Sequence, residues 1–150
     1  MTVVESTADQ SALETSTSDY ARDTITLNSE DRGKLHGRRR SDGGVDFGIS
    51  LSTAGPLKAG DCFVLEPEKV VVAVVEADEP VYVIRPADTR EWAYYAYQIG
   101  NRHQKVMIAA EELVCLEDPA VKSLFDQLGV SYFTDTRPFT PALGTVGHSH

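Results

Sequence analysis

The chain has 150 residues, 41% of them hydrophobic and 25% charged, and carries a net charge of −9. That length accommodates one domain or two small ones, and the composition is that of an ordinary globular protein. The acidic balance disfavours nucleic acid as a partner, and no apolar run approaches the ~20 residues that span a bilayer, so the chain reads as cytoplasmic.

Residues 1–22 are rich in Ser, Thr, Asp and Glu. So little apolar surface does not offset the entropy of ordering, and the segment reads as a disordered leader. From residue 23 to 78 the signals are strands and tight turns. Thr24-Ile25-Thr26-Leu27 alternates polar and apolar, the period of a half-buried strand. Ser41-Asp42-Gly43-Gly44 marks a hairpin turn, because glycine tolerates the positive φ that such turns need. Val45, Phe47 and Ile49 alternate on the return strand, and Gly60-Asp61 turns into Cys62-Phe63-Val64-Leu65. The run from Val70 to Val75 is continuously apolar and mostly β-branched, as a central buried strand is. The expectation for residues 23–78 is a small all-β domain of about six strands. The Arg38-Arg39-Arg40 run inside it suits either a solvated hairpin face or a phosphate or partner contact.

Ala77-Asp78-Glu79-Pro80 breaks the strand pattern and marks a boundary. The spacing beyond it predicts a strand at 81–84 and a helix over 88–99. Asp88 is its N-cap, Glu91 completes a capping box, and Gly100 is placed to stop it. Trp92, Tyr95, Ala96 and Ile99 fall on one helical face. Short strands follow at 106–108 and 112–116. Asp118-Pro119 opens a second helix with the stripe Val121, Leu124, Phe125 and Leu128, ended by Gly129. A last strand is expected over 130–134. The order β-α-β-β-α-β is that of the ferredoxin-like split βαβ unit, placed at residues 79–137. The fold class is therefore α+β, an N-terminal all-β domain followed by a ferredoxin-like domain. Residues 138–150 read as a flexible, histidine-containing tail.

The chemistry concentrates on few residues. Cys62 and Cys115 stand alone without C-x-x-C spacing and read as buried free thiols. His103 closes the tetrad Gly100-Asn101-Arg102-His103 just past a helix C-terminus, where the helix dipole favours a cation. His148 and His150 end the chain, and imidazole suits nickel, copper and zinc. One imidazole does not hold a metal tightly, but a residue near a two-fold axis is presented twice. On spacing alone, a capping or surface role for His103 is the commoner reading, with metal ligation as the alternative. No helix carries an H-x-x-E-H or similar pairing, which argues against a hydrolytic metalloenzyme.

Ala96-Tyr97-Gln98-Ile99-Gly100-Asn101-Arg102-His103, with the apolar strand after it, resembles the hallmark segment of the urease accessory protein E family, which are nickel metallochaperones. The resemblance extends through Gly37-Arg38-Arg39, Gly60-Asp61, Leu128-Gly129 and Pro138-Phe139-Thr140-Pro141. It implies a homodimer through the C-terminal domains, either alone or as a dimer of dimers, with two copies of His103 sharing one nickel. It also implies auxiliary ligation by His148 and His150, and delivery to apo-urease through a maturation complex containing a GTPase. A non-catalytic structural adaptor, or a zinc-binding module using the same site, are the alternatives. The chain departs from the family at Gln98, at Lys105, at Leu116-Glu117-Asp118-Pro119 where some members carry extra histidines, and in its short His-Ser-His ending.

Overall fold

The computed structural model describes residues 1–13, 15–53 and 55–142. The chain divides into two compact units, Met1–Ala77 and Asp78–His150. No helix among the described residues is long and apolar enough to cross a membrane.

The first unit comprises β1 (Val3–Val4), β2 (Ala8–Asp9), α1 (Gln10–Leu13), β3 (Ala21–Leu27), α2 (Ser29–Arg32), β4 (His36–Arg40), β5 (Asp46–Ser50), β6 (Asp61–Leu65) and β7 (Val70–Glu76). A three-stranded sheet runs β1-β5-β4 and a four-stranded sheet runs β2-β6-β7-β3. The β4–β5 and β6–β7 hairpins are antiparallel, while β1–β5 and β3–β7 pair in parallel. Both sheets feed one core. Val4, Phe47 and Ile49 come from the first, and Ile25, Leu27, Phe63, Leu65, Val72 and Val74 from the second. Phe47 and Phe63 meet with ring centroids 5.4 Å apart, a separation at which tilted aromatic pairs attract beyond their area burial. The run of valines on β7 occupies an interior position of its sheet, as its composition requires.

The expectation of a disordered leader does not hold for the described part of residues 1–22. Val3 and Val4 pair with Gly48 and Ile49, Ala8 and Asp9 pair with Cys62 and Asp61, and Val4 joins the core. Short strands added to a preformed sheet gain backbone hydrogen bonds at once, so one buried valine suffices where a free-standing segment needs many. The Arg38-Arg39-Arg40 run lies on the edge strand β4. Arg39 donates to the carbonyls of Arg38 and Lys34 at 2.7 Å, and Arg40 pairs with Asp46 at 3.3 Å. Charged side chains on an edge deter pairing with another sheet.

The second unit comprises β8 (Asp78–Ile84), α3 (Thr89–Asn101), β9 (Met107–Ile108), β10 (Leu113–Leu116), α4 (Pro119–Leu128) and β11 (Phe133–Pro138). Its four strands are all antiparallel, in the order β11-β8-β10-β9. Tyr82, Ile84, Leu113 and Cys115 point to one face, where the expected stripes of α3 and α4 cover them; Ile99, Leu124 and Phe125 are wholly or almost wholly buried there. Asp88 caps α3 by accepting from the Glu91 amide, and Asp118 caps α4 by accepting from the Ala120 amide.

Two expectations shift. The last strand lies at 133–138 rather than 130–134, because Val130 and Tyr132 are drawn into the helix-side core and the strand proper is a polar edge. Pro138 pairs with Asp78, so the irregular tail does not begin there. Phe139 follows it and is fully buried against Val81, Val83 and Val114 on the opposite face of the sheet. Residues 139–142 form a strap. Thr140 N lies 3.3 Å from Met107 Sδ, and the Ala142 amide donates to the Val106 carbonyl at 2.6 Å, beside the far strand β9. Crossing from β11 to β9 takes three interstrand steps of about 4.8 Å, and four extended residues at about 3.4 Å each cover that same distance.

Candidate metal site

His103 stands at the end of α3, and the way that helix ends decides how the imidazole is shown. The helix does not stop at Gly100. It continues to Asn101, with Arg102 as the C-cap. The His103 amide donates to the Gly100 carbonyl at 3.0 Å and the Gln104 amide to the Ile99 carbonyl at 3.2 Å. These are the two bonds of a Schellman motif, which requires a left-handed residue immediately after the cap. His103 is that residue, with φ 56°. The same unit contains the usual solution for comparison: α4 ends with Gly129 at φ 65°, its amide on the Asp126 carbonyl and the Val130 amide on the Phe125 carbonyl, both at 3.2 Å. The two helices end with one hydrogen-bond pattern, but a histidine fills the position that glycine fills in the other. Gly100 needs no positive φ, and a side chain there would meet nothing within 4 Å.

The outcome is an exposed imidazole held outward from a helix C-terminus. His103 lines a cavity of about 250 Å³ with Gln104, Lys105, Leu116 and Asp118. The partial negative charge at the end of α3 favours a cation near it. Arg102 does not join the imidazole; its Nη2 donates to Gln127 Oε1 on α4 at 3.1 Å. Asn101 is exposed at the last position of the helix.

The other candidates fall elsewhere. His148 and His150 lie outside the described residues. His36 is on β4 in the first unit, exposed, with Nδ1 3.4 Å from Ser50 Oγ. Both cysteines are free and buried. Burial pushes the Cys62 thiol up and the Cys115 thiol up to about 12, against the thiolate that metal ligation needs. A larger cavity of about 450 Å³ opens on the second sheet of the first unit, between Arg22, Thr24, Cys62, Val71 and Ala73, and no histidine lines it. Among the described residues no three His, Cys, Asp or Glu side chains converge as a metal-holding group.

Residues 4–76 match the family model described as "UreE urease accessory protein, N-terminal domain", and residues 79–150 match "UreE urease accessory protein, C-terminal domain". The chain belongs to the UreE family of urease accessory proteins. It is 36% identical over 138 residues to the urease accessory protein UreE of Chelativorans sp. (strain BNC1), a span that covers 88% of this chain and 87% of that relative. It is 36% identical over 126 residues to the protein of the same name from Lysinibacillus sphaericus (strain C3-41), covering 84% of each. The corresponding figure for the Synechococcus sp. (strain WH7805) protein is 32%, over 83% of this chain and 71% of the relative. The family is one of accessory chaperones in urease maturation, not of catalysts, and the boundary between its two models coincides with the division of the chain at Ala77 and Asp78.

The sequence singles out His103 as a candidate but does not foretell how its backbone is held. The signal for the left-handed cap was available, since histidine is among the residues enriched at positive φ. The strap was foreshadowed by Phe139, a large apolar residue between two prolines.

Proposed function

We propose that this chain is a nickel-binding metallochaperone that delivers Ni(II) to apo-urease, with His103 from each of two protomers holding one ion at a homodimer interface. The observation that carries this reading is the exposed His103 imidazole on a left-handed helix cap. Among the described residues the imidazole makes no side-chain hydrogen bond or ion pair, and its exposure leaves it open to a second copy. One imidazole per chain makes a weak site and two make a transferable one, as a carrier needs. Closed four-ligand sites retain their metal. The ion is cargo here, and zinc is a competing occupant because imidazole does not distinguish the two.

His148 and His150 are the auxiliary ligands. The strap supports their role. It ties Ala142 to Val106, three residues after His103. His148 is six residues beyond Ala142, a reach of about 20 Å in extended chain, whereas Val106 and His103 are at most about 10 Å apart along the backbone. The tail therefore starts close enough for its imidazoles to reach the ion in the same protomer. The second unit is read as ferredoxin-like, supported by its antiparallel order with the first and third strands central. The first unit is assigned to contacts with the maturation GTPase and the apo-urease complex, in the cytoplasm.

Nickel and zinc titrations of the wild-type protein, of H103A and of a chain truncated after Gly147 test the proposal. H103A loses the tight site, and the truncation weakens it without abolishing it. Equal nickel affinity in H103A and wild type overturns the reading.

A further inference from the structure

We infer that Arg102 and Gln127 form a tether that positions the His103 imidazole, so that Arg102 and Gln127 are positioning residues for metal uptake without touching the ion; this rests on the reading of His103 as the ligand. The turn at residues 102–104 is held by three backbone hydrogen bonds, and all three return to carbonyls of α3 itself, at Ile99 and Gly100. Helix ends fray readily, because the last turn is fixed only to the turn before it. His103 adds to this tendency, since its left-handed φ is unfavourable for a residue with a Cβ and relaxes once the cap opens.

One side-chain hydrogen bond among the described residues links the 100–104 segment to another element, and it is Arg102 Nη2 to Gln127 Oε1 at 3.1 Å. Gln127 is well placed to act as an anchor. It sits in the last turn of α4, whose Val121, Leu124 and Phe125 are buried in the core and whose end is locked by the left-handed Gly129. The tether thus connects a cap prone to opening with a helix that packing holds still. Arg102 is adjacent in sequence to the ligand, so fixing its guanidinium restricts the turn from which the imidazole projects. The arginine contributes through geometry: it is permanently charged and does not ligate.

Gln127 is exposed, and neither methionine nor glutamate disturbs a helix at that position. Q127M keeps the length of the side chain and removes the acceptor, while Q127E keeps an acceptor. Two readouts are taken on wild type, H103A, R102A, Q127M, Q127E and the R102A/Q127M double variant. In metal-free protein, amide hydrogen exchange at His103 and Gln104 is expected to speed up in Q127M by about three- to tenfold, the value of one exposed hydrogen bond, with no change in the first turns of α3. In nickel titrations Q127M is expected to weaken binding by a similar factor. Q127E restores wild-type affinity, and the double variant is no worse than either single one. If H103A loses nickel while Q127M binds as wild type does, the tether is overturned and the site stands. If Q127E is as weak as Q127M, the hydrogen bond is not the cause and the inference fails. If H103A binds nickel as tightly as wild type, the site itself fails, and unchanged amide exchange in Q127M then removes the tether independently.

Discussion

Replacing His103 by glycine and by alanine separates the fold's preference at that position from the preference of the site. Both variants remove the imidazole. Alanine retains a Cβ and with it the cost of a left-handed φ, about 1–2 kcal/mol. Glycine escapes that cost but brings about 0.5–1 kcal/mol of extra backbone entropy to the unfolded chain. The difference favours glycine by about 0.5–1 kcal/mol, and Gly129 in the matching position of α4 shows that the motif accepts it. For a cooperative unit the size of residues 78–150, that difference corresponds to about 2–8 °C in melting temperature. Thermal unfolding followed by circular dichroism in a chelator, so that no bound metal adds stability, gives the comparison directly. H103G should melt above H103A and no lower than wild type, and neither variant should bind nickel tightly. An alanine variant as stable as the glycine variant refutes the strained cap, and wild-type nickel binding by either variant refutes the ligand.

Phe139→Ala should destabilise the second unit by about 3–5 kcal/mol, read from urea unfolding, because the ring is fully buried against three valines; a loss below about 1 kcal/mol would mean the strap is not part of the core. Glu112 accepts from Arg137 at 2.7 Å and Arg85 at 3.0 Å, and the Arg137 hydrogen bond, with Arg85 and the two positive charges adding to it, holds its carboxyl below the ordinary value of 4.5. Its contribution is present above that ordinary value and is lost as pH falls through the lower folded value, so E112Q should cost stability at neutral pH and progressively less as pH falls below 4.5; a cost that does not shrink on acidification contradicts the charge pairing. Asp118→Ala should cost about 1 kcal/mol by removing the cap of α4, while Asp118→Asn should cost little, since asparagine caps as well; chemical denaturation of the pair decides this.

What the sequence made legible follows periodicity and punctuation. The two helices of the second unit were placed through Asp88, Asp118 and their apolar stripes, because N-caps and 3.6-residue spacing are local properties. The β4–β5 hairpin was readable from Ser41-Asp42-Gly43-Gly44 for the same reason. Elements that depend on distant partners were not readable. Val3–Val4 and Ala8–Asp9 become strands only because β5 and β6 offer edges to them. The last strand was expected at 130–134 but lies at Phe133–Pro138, because its bounds are set by pairing with β8 and not by an apolar pattern of its own. The end of α3 was misread because Gly100 looked like a stop, whereas the amides of residues 102–104 still find acceptors one turn back. His103 could be picked out as a candidate from its tetrad, but its left-handed backbone, its exposure and the Arg102–Gln127 bond are products of tertiary structure.

We propose that two chains share one ion through His103. Mass determination in solution during a nickel titration, carried out on wild type and H103A, tests it most directly. The expected result is a dimer that saturates its tight site at one nickel per pair of chains, with that site absent from H103A. A monomer that binds its own nickel, or an H103A protein with undiminished uptake, would contradict it.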